Sequence, residues 1–493
     1  MKVPFFIFED HCESYIRWRE MGLKDLCVIH IDAHLDVADE GLDDAILEKI
    51  RCCKSVENLE KFRKNEDVLW GGFHPGNYLY PAMYDGTVSH LIWVIPDHLP
   101  GKEKLLLWAR QEVMQWVDLS LADYDSLHYE DNRVVGKLKG IDFEICFLKD
   151  LRVGSANYVW DIDTDYLIDE DDIPWISPMD LIHHLYHIAP NPLMITTAYS
   201  VNGGYLPPEQ KYLGDLIEKT IKGQMTDSLR ECYQYLMDGD RAILQKYHHG
   251  TKWYYNKCKT ESFYTPYLNL RLAELCRMKN ETELERKYME EVRRLEPILI
   301  LPAYDIAMIH FRRKDYDKAL SLLKKTADID ETHFLMSHFI SAVIYIKKEE
   351  YATAALHLET IIELKHFDNW NNSIRAHVLF IAGSTYLKGE KYKKALELMN
   401  KSIDINPDNA GVYSQRGRIY LKMEKYENAA RDFRKYLRKK PDRLESMEVR
   451  LLLAFTYRSL DKKGMEMREV RRILKDDTTG FYSMKARLGR YMR

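Results

Sequence analysis

The chain has no run of about 18 apolar residues, so no segment of it reads as a membrane-spanning helix. Its first residues carry an apolar run only from Val3 to Phe8 before Glu9 and Asp10 interrupt it. That is too short for the core of a secretory leader, and no small-residue cleavage site follows. Cysteine is sparse, with eight in 493 residues, no CxxC pair, and only Cys52 and Cys53 adjacent. A disulfide framework and a thiolate zinc ribbon are therefore excluded, and the pattern is that of a reduced, cytoplasmic protein. Cys12 reads as a small buried residue. An excess of positive charge is also missing. A formal charge of −5 argues against a general nucleic-acid binder, which should be basic.

What the chain does have is two rhythms. Up to about residue 215–260, short apolar runs alternate with helical stretches. Val3–Phe8, Leu26–Ile31, Leu91–Ile95, Glu144–Leu148, Tyr158–Ile162 and Leu193–Tyr199 read as buried strands. Runs that are apolar throughout and separated by helices predict an α/β fold with a mostly parallel sheet. Ligands of such sheets sit at the carboxyl ends of strands.

After about residue 262 a 34-residue period takes over. Gly383, Tyr386, Ala395, Met399 and Pro407 recur 34 residues later as Gly417, Tyr420, Ala429, Phe433 and Pro441. Looser units hold Ala342, Tyr345, Ala354 and Leu358, then Ala307, His310, Ala319 and Leu323, then Ala273, Cys276, Tyr288 and Pro297. A degenerate last pair lies near Ala454 and Tyr457. This pattern resembles tetratricopeptide repeats, helix pairs that stack into a superhelix. The resemblance implies a peptide or protein partner; a solenoid that only supports oligomerisation is the alternative.

The residues that carry chemistry stand at strand ends. Asp32, His34 and Asp36 follow the run Leu26–Ile31 at a spacing of two, which puts them on one side of an extended chain. Asp161 and Asp163 end the run Tyr158–Ile162, where buried carboxylates are costly without cations. His11 follows the first run. Carboxylates with imidazoles suit manganese and similar divalent ions rather than soft metals.

Asp32-Ala33-His34-Leu35-Asp36 resembles the DAHxD motif of the arginase, agmatinase and formimidoylglutamase superfamily. Asp161-Ile162-Asp163-Thr164-Asp165 is similar to the aspartates of its SxDxDxxDP motif, and Glu9-Asp10-His11 to its GGDH. The resemblance covers roughly residues 5–205. It implies two manganese ions, one held by His11, Asp32, Asp36 and Asp161, the other by Asp32, His34, Asp161 and Asp163. The metals would activate water for attack on a guanidinium carbon, giving urea and an amine. Asp165 falls at no ligand position and is assigned a supporting or catalytic role. His74, in the loop Trp70–Tyr78, is the candidate proton shuttle for the leaving amine, and Asn77 a candidate substrate contact. Glu13, Ser200 and Asn202 are further candidate substrate contacts, Glu13 or Asp165 standing in for the missing guanidinium-binding acid.

Three departures bear on the substrate. GGDH is reduced to Glu-Asp-His. Trp160 replaces the serine, and no Asp-Pro closes the second motif. Residues 37–42 also lack the Asn and Ser that grip the α-groups of free arginine. The pattern resembles the peptide arginases, which convert arginine to ornithine within ribosomally made precursor peptides. The expected layout is an arginase-like three-layer metallohydrolase domain at 1–220, a helical linker at 221–262 and an all-α repeat superhelix at 263–493, where the precursor or its leader would bind. Self-assembly into a homo-oligomer is a further expectation of the resemblance, which the repeats would prevent or replace. The competing expectations are a metal-dependent deacetylase on another amide, and a repeat scaffold with a dead metal domain.

Overall fold

The computed structural model describes residues 3–39, 42, 44–63, 72–99, 105–154, 157–201, 205–245, 248–258, 261–329, 331–370, 372–440, 444–477 and 481–487. The chain divides into two compact units. The first comprises Met1–Leu35, Gly86–Lys102 and Glu144–Thr326; the second comprises Asp36–Asp85, Glu103–Phe143 and Ala327–Arg493.

Eight strands form: β1 (Phe5–Phe8), β2 (Leu26–Ile31), β3 (Val88–Ile95), β4 (His128–Glu130), β5 (Arg133–Leu138), β6 (Ile141–Phe147), β7 (Tyr158–Asp163) and β8 (Ile195–Ala198). In the first unit the order is β1–β8–β7–β2–β3, and each of these neighbouring pairs is parallel. All six residues of β2 and all six of β7 are buried, and both are apolar apart from His30, Asp161 and Asp163 near their carboxyl ends. The helices Glu13–Glu20 and Pro178–Ile188 connect parallel strands. The second starts at Ser177, whose hydroxyl accepts the Asp180 N–H at 3.0 Å, and carries a proline in its first turn.

The strand ends differ in detail from the sequence expectation. β1 begins at Phe5 rather than Val3, because Pro4 has no N–H to donate to a ladder; its carbonyl still accepts Ile195 N at 2.9 Å. β3 starts earlier, at Val88, and β8 is confined to Ile195–Ala198. The antiparallel hairpin β4–β5 was not expected. It lies in the second unit and turns through Asp131 and Asn132, both with positive φ, at 49° and 64°. Its strands are short, largely exposed and interrupted by Gly136, so no apolar run marks them.

Compactness does not change where the sequence rhythm changes. The helix pairs Thr265–Met278 with Thr282–Leu295, and Ala303–Arg312 with Tyr316–Thr326, belong to the first unit. A buried network explains this. The Arg271 guanidinium donates to both oxygens of Asp240 at 2.8 Å and to the Glu209 carbonyl at 2.7 Å, while Tyr255 Oη donates to Asp240 at 2.6 Å. Arg312 donates to Asp172 at 2.6 Å. Breaking a buried, fully hydrogen-bonded pair of this kind costs about 3–5 kcal/mol.

The second unit holds four more pairs: Glu331–Lys347 with Tyr351–Ile362, Asn372–Lys388 with Tyr392–Ile405, Ala410–Lys422 with Tyr426–Lys439, and Leu444–Ser459 with Lys463–Asp476. The recurrent small residues let paired helices approach closely. A Cβ on Gly417 would lie 2.6 Å from the buried Phe433 ring.

Two predictions follow from this packing. Gly417→Ala should destabilise the second unit by about 1–3 kcal/mol through overpacking, read as a lower urea midpoint. The other concerns His90 on β3, whose Nε2 stands 3.0 Å from Glu144 Oε1 on β6. Burial works against its charge, but Cys27 and Glu144 outweigh that and lift its pKa to about 10. Because this pKa is raised, the pair's contribution is whole below about pH 6.5 and is lost as the pH climbs through about 10. Both side chains are partly exposed, so Glu144→Gln should cost at most about 1 kcal/mol. Urea melts should show that difference near about pH 6 and none above about pH 10.5.

Candidate metal centre

Strand register assembles the site in the first unit. His30 on β2 is directly opposite Asp161 on β7, and Asp161 is opposite Thr196 on β8. Side chains at matched positions of parallel neighbours project from the same face. Asp32 and His34 continue from β2, His11 follows β1, and Asp163 ends β7, so the group collects at the carboxyl edge of the sheet. The Trp93 indole pins the turn after β2 by donating to the Asp32 carbonyl at 2.9 Å.

The contacts are short and mutual. His11 Nδ1 is 3.1 Å from Asp32 Oδ2 and 3.2 Å from Asp163 Oδ2, and its Nε2 is 3.3 Å from Asp161 Oδ1. His30 Nδ1 is 3.2 Å from Asp161 Oδ2, and its Nε2 is 3.3 Å from Asp32 Oδ2. His34 Nδ1 is 2.9 Å from Asp165 Oδ2 and 3.6 Å from Asp32 Oδ1. The His11 and His30 rings stack with centroids 5.4 Å apart. Thr196 Oγ1 donates to Asp161 Oδ1 at 2.7 Å, and Ser200 Oγ to Asp163 Oδ2 at 2.6 Å. His11, His30, Asp32 and Asp161 are fully buried; the His34 side chain is 41% exposed and meets Tyr205 edge-on at 5.2 Å. His34 is thus the imidazole on the open side.

Without a cation the group balances its own charge. Burial alone would raise the pKa of Asp161, but His11 and His30 outweigh it and hold the carboxyl below the usual range. Burial likewise opposes the low pKa of Asp32, which His30, His11 and His34 impose. The same pairings overcome burial and hold His11 and His34 well above an ordinary imidazole. Asp165 is the exception. Burial, then the Asp163 and Asp32 carboxylates, push it up to about 7.

The donor chemistry fits divalent ions. Asp32 Oδ2 and both Asp165 oxygens are buried yet receive no aligned hydrogen bond among the described residues; the 2.9 Å approach of His34 lacks hydrogen-bond direction. Buried carboxylate oxygens left in that state favour a cation. Two triads that share no residue bring their ligand atoms within 4.8 Å: His11, His30 and Asp161, and Asp32, His34 and Asp165. Oxygen with imidazole suits manganese, iron or zinc.

The grouping departs from the sequence assignment in two ways. His30 was missed, because it sits inside the apolar run of β2; the period of two that joins Asp32 to His34 extends back to it. Asp165, assigned a supporting role, stands among the ligand atoms, whereas Asp163 is engaged by Ser200 and by the Asp165 N–H at 3.1 Å. Ser200, a candidate substrate contact, supports Asp163 from a buried position with φ of 50°. Glu13 is half-buried in the first turn of the helix Glu13–Glu20. Asp36, with φ of 53°, opens the second unit. His74 and Asn77 also belong to that unit. His74 is exposed, with Nδ1 accepting Gly76 N–H at 3.2 Å. Asn77 is fully buried and its amide serves its own turn, accepting His74 N–H at 2.7 Å and donating to the Gly72 carbonyl at 3.5 Å. Asn202 lies outside the described residues.

The helix pairs can be placed by comparison. A family model described as tetratricopeptide repeat matches residues 383–454, so the C-terminal part of the chain contains tetratricopeptide repeats. The human mitochondrial import receptor subunit TOM70 is 27% identical over 133 residues, covering 27% of this chain and 21% of that protein. The chain thus spans about a fifth of the length of that curated relative. Among solved structures, MamA from Desulfovibrio magneticus RS-1 is 18% identical with a TM-score of 0.31, covering 36% of this chain and 95% of its own. YrrB, described as a TPR protein with an unusual peptide-binding site, is 14% identical with a TM-score of 0.32, covering 40% and 97%. No described helix is long and apolar enough to cross a membrane.

If this group holds divalent ions, stability will depend on them. At a hundredfold excess over the dissociation constant, Mn²⁺ should stabilise the metal-free chain by about 2.7 kcal/mol, read as a higher melting temperature that EDTA reverses. In Asp161→Ala the metal-induced shift should vanish, and elemental analysis should find the bound metal lost.

Proposed function

We propose that the chain is a peptide- or protein-binding repeat protein whose sheet domain is a divalent-metal hydrolase, with arginine inside a peptide as its substrate and ornithine and urea as products. The observation that supports hydrolysis is the disjoint pair of buried His/Asp triads at the carboxyl edge of a parallel sheet. Bound divalent ions would supply Lewis acidity and a water of lowered pKa. The protein's part is orientation. Thr196 and Ser200 fix the Asp161 and Asp163 carboxylates, stacking holds His11 against His30, and half-exposed His34 beside Tyr205 marks the side open to a substrate. The choice of a peptidyl side chain rests on residues 37–42, which lack the polar pair expected for free arginine, and on the repeats.

The second reading is a repeat scaffold whose metal domain has lost its chemistry. It is favoured by the family match and the TOM70 similarity, which speak for repeats and binding.

One experiment separates these readings. The full chain with Mn²⁺ is incubated with an arginine-containing precursor peptide encoded beside its gene, and separately with free arginine. Urea is assayed and peptide mass recorded. Urea release with the mass loss of an arginine-to-ornithine conversion, absent with free arginine and absent in Asp161→Ala, is the expected result. Peptide that binds without changing mass supports the scaffold. Deacylation of an acyl-lysine peptide with one zinc bound points to a deacetylase.

A further inference from the structure

The second unit carries a cluster of cations in a chain whose net charge is negative. The helices Tyr426–Lys439, Leu444–Ser459 and Lys463–Asp476 line a half-open cavity of about 440 Å³. Arg431, Arg434 and Arg438 line it from the first helix at spacings of three and four, so they share one helix face. Arg450 lines it from the second helix, and Arg468 and Arg472 from the third. Six guanidiniums therefore face a cavity whose one acid is Glu469.

Their pairing is incomplete. Buried Glu469 accepts Arg450 Nη1 at 3.0 Å and Arg472 Nη1 at 3.1 Å, which spends its charge. Arg431, Arg434, Arg438 and Arg468 form no ion pair among the described residues. The other repeat helices behave differently. Arg286 pairs with Glu283 and Arg294 with Glu291, each one turn away. Arg431, Arg434, Arg438 and Arg468 are exposed, so solvent screens their mutual repulsion and leaves their guanidiniums open to an anion. An independent observation concerns Arg450: it is 8% exposed, and its buried Nε has no hydrogen-bond partner among the described residues. A buried charged donor left unmade carries the full cost of its desolvation.

We propose that this cavity is a binding site for a compact phosphoryl anion of the oligophosphate class. Guanidinium forks match phosphate oxygens in pairs. A phosphoryl group also brings more charge and more acceptor oxygens into a confined volume than a carboxylate side chain does. Buried Leu437, Leu453 and Tyr457 complete the lining. The site is independent of the metal centre and of any hydrolytic activity.

The test uses the full chain in metal-free buffer, titrated calorimetrically with sodium triphosphate. One site is expected, weakening steeply with salt. The exposed double variant Arg431→Gln, Arg438→Gln should bind at least about tenfold more weakly with an unchanged melting temperature. In the unaltered protein, triphosphate should shield the six cavity arginines, and not Arg286 or Arg294, from phenylglyoxal labelling read by mass spectrometry. That footprint decides the matter if the variant fails to fold. Absent binding, wild-type affinity in the folded variant, or a footprint lying elsewhere overturns the proposal. So does a short poly-aspartate peptide that displaces triphosphate at matched ionic strength, which would make the partner a carboxylate-bearing protein segment.

Discussion

Carboxylates cannot be buried side by side unless positive charge is buried with them. That constraint organises the sheet domain. Asp32, Asp161, Asp163 and Asp165 are all withdrawn from water, and three imidazoles come with them, His11 from after β1 and His30 and His34 from β2 and the turn that follows it. The register β2–β7–β8 aligns His30, Asp161 and Thr196 in one row, and a slip of a single residue would turn the row toward the opposite face. The apolar β2 and β7 thus do two jobs. They fill the core with alternate side chains, and they hold polar groups at the one edge where a cation can neutralise them.

The parts of this arrangement that were legible in the sequence share a physical reason. Strands buried on both faces are mostly apolar, so β2 and β7 stood out within a residue of their ends. Repeats must reuse small residues where helices touch, so Gly383 and Gly417 fixed the period. What escaped had no such signature. His30 is polar but lies in an apolar run, and its neighbours disguised it. The hairpin β4–β5 is half exposed, and its turn pair Asp131-Asn132 is a weaker cue than a glycine. Asn77 is a candidate substrate contact because amides bind substrates; in the structure it is buried and its amide hydrogen-bonds within its own turn. Asp165 reads as a supporting residue by analogy with a motif that this chain does not complete, and the structure brings its carboxylate within 2.9 Å of His34.

The repeats divide their charges by position. On exposed faces Arg277, Arg286 and Arg294 are each matched within one turn by a glutamate, at little energetic gain. Arg416 is different: it is held bidentately by the buried Asp432, between paired helices. The cluster around Glu469 follows neither pattern. Its excess charge is set on three helices rather than along one, so it is a property of the stacked structure and not of any single repeat.

The bond between Arg271 and Asp240 has a bearing on how such a chain can be divided or inherited. Asp240 lies in the helix Asp227–Leu244, before the repeat periodicity begins, and Arg271 in the first repeat helix. A cut at the change of rhythm would leave an aspartate in the interior with its guanidinium on the other fragment. The first repeats are therefore not a cassette appended to a finished domain. They fold as masonry of the same wall, and any recombination that exchanges the solenoid must keep its opening helices or rebuild that interior pair.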